Sequence, residues 1–143
     1  MKRKYFAMAK RGLLLAGVMA VFTSVSAFAQ KKAIDFKQGM PFSNGYVAGS
    51  TLYVAGQQGN GADIKLQRTN AIVAVRKVVE GAMFRMSDIV SVTVYFTDLN
   101  DVPGMNAVYK ALIPDPKPAR VAVQVAGLIG GAKIEISVIA VKH

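Results

Sequence analysis

The 143-residue sequence contains no cysteine and no tryptophan, and its only histidine is His143, the last residue. Without cysteine the chain cannot form a disulfide bond. Zinc and iron sites are usually built from cysteine and clustered histidine side chains. The composition therefore argues against a metal centre of either kind.

Acidic residues are absent from the first 29 positions. This segment starts with basic residues, continues with the uncharged apolar stretch 12–25 and ends on the small-x-small sequence Ala27-Phe28-Ala29. The three-part pattern is typical of a secretory signal peptide. We predict that residues 1–29 are a signal peptide cleaved before Gln30, and that the mature protein is periplasmic or secreted without membrane attachment. The alternative is a retained anchor, because the apolar run of about 18 residues is near the lower limit for a spanning helix.

A strong basic surface is also missing once the export signal is set aside. Five of the 18 basic residues lie in the first 11 positions, so the chain from Gln30 onward has 13 basic and eight acidic side chains, a formal charge of +5. These residues are scattered, whereas nucleic-acid-binding proteins concentrate them in a stripe. We therefore expect no nucleic-acid partner.

Residues 30–143 are long enough for a single domain and contain no linker or internal repeat. Apolar periodicity predicts two helices and a set of strands after a polar arm at 31–40. The predicted elements are a hairpin at 46–57, a helix at 64–84, a strand at 89–96, a helix at 102–113 and strands at 120–128 and 132–141. We predict a β-β-β-α-β-α-β-β order: an α+β fold with a six-stranded sheet and two helices on one face.

Two helices leave the second face of such a sheet uncovered. The strand at 89–96 is nevertheless apolar or small on both sides, with one side lined by Val90, Val92, Val94 and Phe96 and the other by Ile89, Ser91, Thr93 and Tyr95. A partner subunit is the simplest cover for that second side. The alternative is a face that tolerates exposed threonine and tyrosine.

Two charged residues interrupt the last two strands. Arg120 starts one strand beside alanines, and Glu135 interrupts the apolar alternation of the other. Because a short turn joins these strands, we expect them to be neighbours and the two charges to lie in one region. Either they form an ion pair, or Arg120 binds a small carboxylate through its paired donors and Glu135 holds a water molecule.

Several segments together resemble the RidA (YjgF) family of imine deaminases. They are PFSNGYVAGSTLYVAGQ, IVSVTVYFTDLND, MNAVYKAL, PARVAVQVAGL and KIEISVIAVKH, and they extend over roughly residues 38 to 143. The most specific part is P-A-R before an alternating strand, followed by K-I-E-I. The resemblance implies a chorismate-mutase-like fold assembled as a homotrimer, with sites between subunits.

The resemblance also implies an activity and its residues. Family members hydrolyse reactive 2-imino and 2-enamino acids to 2-keto acids and ammonia without a metal or organic cofactor. By position, Arg120 matches the arginine that binds the substrate carboxylate, and Glu135 matches the acid that positions water. Asn106 matches an asparagine near the site, and Gly56 and Gln57 match a loop that shapes the pocket.

Three positions depart from the family pattern. Phe42 stands where tyrosine is frequent, Ala55 where serine is frequent and Ala122 where a small polar residue, often cysteine, is frequent. Each lost polar group removes a possible ligand hydrogen bond, worth about 0.5–1.5 kcal/mol. These departures leave a second interpretation, a non-catalytic trimer that binds small carboxylates or partner proteins. A third, ribonuclease, has little support because the sequence has no histidine pair and no basic-aromatic stripe.

Overall fold

Six strands and two α-helices are formed by residues 30–142, the residues that the computed structural model describes. In chain order they are β1 (Lys31–Ile34), β2 (Gly45–Ala48), β3 (Thr51–Gln58), α1 (Ile64–Gly81), β4 (Ile89–Phe96), α2 (Val102–Leu112), β5 (Ala119–Gln124) and β6 (Ile134–Val141). They build one sheet in the order β1-β2-β3-β6-β4-β5, in which β4 and β5 are parallel and all other neighbours are antiparallel. The predicted element order and α+β class are confirmed, and the predicted signal peptide lies outside the described residues.

The N-terminal half of the sheet is a meander. Strands β2 and β3 form the predicted hairpin, in which Ala48 pairs with Thr51 across Gly49, a residue with a positive φ of 61°. The prediction of a polar arm at 31–40 was only partly correct, because its first four residues form β1 against β2. The sequence of β1 shows little apolar alternation, because Lys31 and Lys32 are exposed on this edge strand and only Ile34 is buried.

Both helices end where the local sequence stops them, each earlier than predicted. Helix α1 begins at an Asp63 cap that accepts a hydrogen bond from the Leu66 amide at 2.9 Å. It ends at Gly81 because Met83 adopts a left-handed φ of 61°, and the amide of Phe84 closes back on the Val79 carbonyl at 3.0 Å. Helix α2 ends at Leu112 because Ile113 precedes a proline and is extended.

The hydrophobic core lies between the helices and one face of the sheet. Helix α1 contributes the buried residues Ala71, Ile72, Val75, Val78 and Val79. The sheet contributes alternate residues of β3, β4 and β6, and Leu52, Val94 and Ile134 are fully buried. Burying such a side chain contributes about 1.5–3 kcal/mol, so this interface supplies most of the fold's apolar stabilisation.

A bulge at the start of β4 changes which residues face the core. Ile89 pairs with Ala140 and Ser91 with Ile139, so Val90 is an extra residue between them. Ile89 is therefore buried and Val90 is 48% exposed, the reverse of a simple alternation. From Val92 onward the predicted sides of the strand are correct.

The second face of the sheet has no helix over it among residues 30–142. Tyr53 is 50% exposed there, and Tyr46 and Ile139 are also exposed. The edge strand β5 is exposed along most of its length, and Val121 on the same face is 56% exposed. The inference that two helices leave one sheet face uncovered is confirmed for residues 30–142.

The last two strands are not neighbours, contrary to our expectation. Strand β6 lies between β3 and β4, so β4 separates it from β5. The physical reason is that β5 ends beside Phe96 and β6 begins beside the same residue. Residues 125–133 therefore only have to pass the end of β4. A connection of this length can join two strands on either side of a third strand, just as it could join two adjacent strands.

Candidate functional site

Arg120 lies on the helix side of the sheet edge. It pairs in register with Val92, whose side chain points to the core, so Arg120 extends towards α2. Its Nη2 donates a hydrogen bond to Oδ1 of Asn106 at 2.6 Å, and its guanidinium carbon lies 4.8 Å from the centre of the Tyr109 ring. Asn106 and Tyr109 are three residues apart on α2 and therefore share one side of it.

The charge of Arg120 has no acidic partner among residues 30–142. The ion pairs in this part of the chain join Arg68 to Asp101 and Lys117 to Asp115. Arg120 is instead held by a neutral amide oxygen and an aromatic ring, both of which leave its positive charge uncompensated. The interpretation of Arg120 and Glu135 as an ion pair within one chain is wrong.

A shallow depression of about 440 Å³ opens beside this guanidinium. Its lining consists of Asn106, Tyr109, Lys110, Lys117, Pro118 and Arg120. The Lys117 ammonium donates to the carbonyls of Lys110 and Ile113 at the end of α2, where a cation is favourable. Asn106 occupies only one of the guanidinium donors of Arg120, so further donors of Arg120 are free for a bound anion.

Tyr109 forms the buried floor under Arg120. The residue is 6% exposed, and its hydroxyl has no hydrogen-bond partner among the described residues. Burial raises the pKa of Tyr109 above its usual value, and the nearby positive charge of Arg120 opposes this only in part. The phenol is therefore neutral at physiological pH, and its ring faces the guanidinium as an uncharged surface.

Glu135 belongs to a separate group on the open face. It pairs with Tyr95 on one side and with Gln58 on the other, and Gln58 Nε2 donates to its Oε2 at 2.8 Å. A bulge in β3 between Val54 and Gln57 places Gly56 against the Glu135 side chain. A methyl group on Gly56 would overlap Oε1 of Glu135, so this approach requires glycine.

Gln57 stabilises this bulge from within. Its Nε2 donates to the carbonyl of Ala55 at 3.0 Å and to that of Gly56 at 3.3 Å. The Ala55 amide in turn donates to the Asn44 carbonyl at 2.9 Å, which attaches the bulge to the segment before β2. Phe42 lies in that segment, two residues from Asn44, and is 55% exposed.

The predicted site residues therefore fall into two groups. Arg120, Asn106 and Ala122, the last of which is exposed two residues along β5, lie at the helix-side edge. The second group comprises Glu135, Gly56, Gln57, Ala55 and Phe42, which the bulge of β3 connects. Because the two groups point to opposite faces of one sheet, a single chain does not bring Arg120 and Glu135 to the same ligand. Their individual roles stay predictions.

Sequence reasoning missed two residues that contact the predicted pair. Tyr109 follows Asn106 by one helical turn, so the spacing N-x-x-Y on a predicted helix would have placed both on one side. Gln58 could not be predicted, because the β3 bulge reverses the alternation and gives Gln58, rather than Gln57, the contact with Glu135.

No group of three or more histidine, cysteine or acidic side chains within residues 30–142 is arranged to hold a metal ion.

The sequence and the fold match a known family. The family model described as Endoribonuclease L-PSP matches residues 32–142. The chain belongs to the RidA (YjgF) family. In a sequence comparison, a RutC family protein of Pyrococcus horikoshii is 37% identical over 111 residues, which cover 72% of this chain and 88% of that protein.

Other members of the family carry names that refer to an activity or a ligand. A 2-iminobutanoate/2-iminopropanoate deaminase of Escherichia coli is 35% identical over 112 residues, covering 76% of this chain and 88% of that enzyme. The crystal structure of E. coli TdcF with bound serine superposes with a TM-score of 0.73 at 32% identity and covers 78% of this chain and 99% of that one. The resemblance to the RidA family is thereby confirmed, as is the six-stranded fold with two helices.

Neither helix within residues 30–142 has the length and apolar character needed to cross a bilayer.

Proposed function

We propose that the protein is a hydrolytic deaminase of 2-imino and 2-enamino acids. The observation that carries this proposal is the guanidinium of Arg120, which has no acidic partner within residues 30–142 and which neutral groups orient at the edge of an open depression. A guanidinium with free donors matches the two oxygens of a carboxylate, which every 2-imino acid carries. The E. coli relative named as an imine deaminase and the serine bound to TdcF support the same ligand class.

The proposed reaction needs little chemistry from the protein. Water adds to the imine carbon, the carbon–nitrogen bond then breaks, and the products are a 2-keto acid and ammonia. Imines already hydrolyse in water, so orienting the substrate and delivering one water molecule is sufficient for acceleration. Arg120 binds the carboxylate, while the Glu135 carboxylate accepts a proton from the attacking water and returns it to the leaving nitrogen. No cofactor takes part.

The opposite placement of Arg120 and Glu135 is the reason to propose that the site forms between chains. A homotrimer sets the edge of one sheet, with Arg120, against the open face of its neighbour, with Glu135 and Gly56. The exposed apolar residues on that face, among them Tyr53, Ile139 and Val121, support such an assembly. An interface of this kind removes apolar side chains from water and excludes water from the ligand.

The proposed location is the periplasm or the exterior of the cell, after removal of residues 1–29. The support comes from the sequence, in which a basic segment, an apolar segment and Ala27-Phe28-Ala29 follow one another. The substrates are then small imino, enamino or related carboxylic acids present outside the cytoplasm, and neither nucleic acid nor membrane is a partner.

A second candidate function is carboxylate binding without catalysis. Phe42, Ala55 and Ala122 have no polar side-chain group with which to contact a ligand. Ala122 belongs to the group of Arg120, and Phe42 and Ala55 belong to the group of Glu135. A binder would retain the Arg120 contact and lack imine turnover. The name Endoribonuclease L-PSP refers to ribonuclease activity. The sequence has only one histidine, so it cannot supply a catalytic histidine pair for that reaction.

One experiment separates the deaminase from the binder. The mature protein is added to imines generated in situ by an amino-acid oxidase, and 2-keto acid formation is measured. Binding of the corresponding stable 2-keto acid is measured by calorimetry on the same sample. Accelerated hydrolysis supports the deaminase. Binding without acceleration supports the non-catalytic carboxylate binder and refutes the enzyme.

A further inference from the structure

We propose that Tyr109 is a positioning residue whose aromatic ring, together with Asn106, orients the guanidinium of Arg120 for a carboxylate. This inference rests on the proposed function, in which Arg120 binds the substrate carboxylate. Tyr109 lies within the segment MNAVYKAL, but the resemblance assigns it no role and the proposed reaction does not use it.

Arg120 needs such support because of where it is attached. It lies at the exposed edge of the sheet, where a long side chain has many rotamers and loses their entropy when a ligand fixes it. The Asn106 oxygen fixes one guanidinium nitrogen at 2.6 Å, and the Tyr109 ring lies 4.8 Å from the guanidinium carbon. A hydrogen bond at one end and a ring beside the carbon restrict both the position and the tilt of the group. Both contacts come from one turn of α2, so they are held rigidly relative to each other.

The neutrality of both supports is as important as their position. A carboxylate in place of Asn106 would occupy the donors that the substrate needs and would offset the charge that attracts it. An aromatic face stabilises a cation and leaves the in-plane N–H donors free. Within residues 30–142, Arg120 makes no ion pair. The arrangement therefore preorganises the cation without compensating its charge.

The ring, and not the hydroxyl, carries this role. The Tyr109 hydroxyl is buried without a hydrogen-bond partner among the described residues, so it does not hold Arg120 through a hydrogen bond. Tyr109→Phe keeps the ring and removes only the hydroxyl. Tyr109→Leu keeps an apolar side chain and removes the aromatic face.

The test compares these variants in the full mature protein. We expect Tyr109→Phe to behave like the wild type. Tyr109→Leu should raise KM for imino acids by about 2- to 30-fold, the range of a cation–π contact, with a smaller change in kcat. The stable 2-keto acid and its uncharged amide serve as competitive inhibitors. In the Leu variant, inhibition by the acid should weaken by a similar factor and inhibition by the amide should not change, because only the acid uses the charge of Arg120.

Because Leu at a buried position can impair folding, pentafluorophenylalanine at position 109 provides a second variant of nearly unchanged shape. Fluorination weakens the attraction of the ring for a cation, so acid inhibition should weaken relative to Tyr109→Phe. The inference is overturned if the pentafluoro variant and the Phe variant bind the acid equally. It is also overturned if Tyr109→Phe loses as much as Tyr109→Leu, or if acid and amide weaken together.

Failure of the proposed function gives a different result. If Arg120→Ala leaves inhibition by the acid unchanged, carboxylate binding by Arg120 itself is refuted. If Arg120→Ala abolishes it while the ring variants have no effect, only the positioning role of Tyr109 is refuted.

Discussion

Arg120→Ala is the substitution that tests the proposed site most directly. Asn106 engages one of the five N–H donors of the guanidinium, so four remain, and a carboxylate bound through both oxygens uses two of them. Each charge-assisted bond is worth about 1.5–3 kcal/mol. Taking the lower value for each, because Arg120 is exposed in the single chain, gives a loss of about 3 kcal/mol. Since 1.36 kcal/mol corresponds to a factor of ten, kcat/KM for imino acids should fall about a hundredfold or more.

The assay follows 2-keto acid formation from imines produced by an amino-acid oxidase, with thermal stability and oligomer mass measured on the same samples. Arg120→Lys should restore only part of the activity, because an ammonium keeps the charge and loses the planar fork. Arg85→Ala is the matched control, since it removes an exposed arginine outside both site groups. Unchanged turnover in Arg120→Ala would refute the assignment, and so would an equal loss in the Arg85 control. A parallel loss of stability and activity would indicate a structural role instead.

Three further predictions concern the second site group, the assembly and processing. Gly56→Ala should displace the Glu135 side chain, because the added methyl group overlaps its carboxylate. Imine turnover should then fall at least tenfold while calorimetry still detects 2-keto acid binding. Unchanged turnover would argue against Glu135 as the water-holding group. Light scattering should show a trimer for the mature chain, and Val121→Glu on the exposed edge strand should shift it towards monomer, whereas a monomeric wild type would refute the site between chains. N-terminal sequencing of the exported protein should begin at Gln30, and an intact start on membrane-bound material would support a retained anchor.

The sequence by itself determined the elements and the family. Alternating strands, 3.6-residue apolar spacing and Gly and Pro at the turns are local signals, and they placed both helices and the strands β2 to β6 along the chain. The PAR and KIEI segments identified the family and marked Arg120 and Glu135 as unusual charges in apolar strands. These conclusions depend on side-chain chemistry and short-range spacing, which one chain displays directly.

Register and strand order were decided by the tertiary structure alone. Bulges in β3 and β4 each insert one residue, which reverses the alternation of the strand at that point. As a result Ile89 faces the core in place of Val90, and Gln58 contacts Glu135 in place of Gln57. A strand's pattern does not reveal such an insertion, because the pairing partner defines it.

The separation of Arg120 from Glu135 likewise follows from the pairing of the strands. A short connection between two strands is compatible with a hairpin and with a passage around the end of a third strand. Here β6 fills the gap between β3 and β4, so β5 pairs with β4 alone. That choice depends on burying the apolar faces of three strands at once, which is a property of the whole core. It places Arg120 beside Asn106 and Tyr109 on one face of the sheet, and Glu135 beside Gln58 on the other.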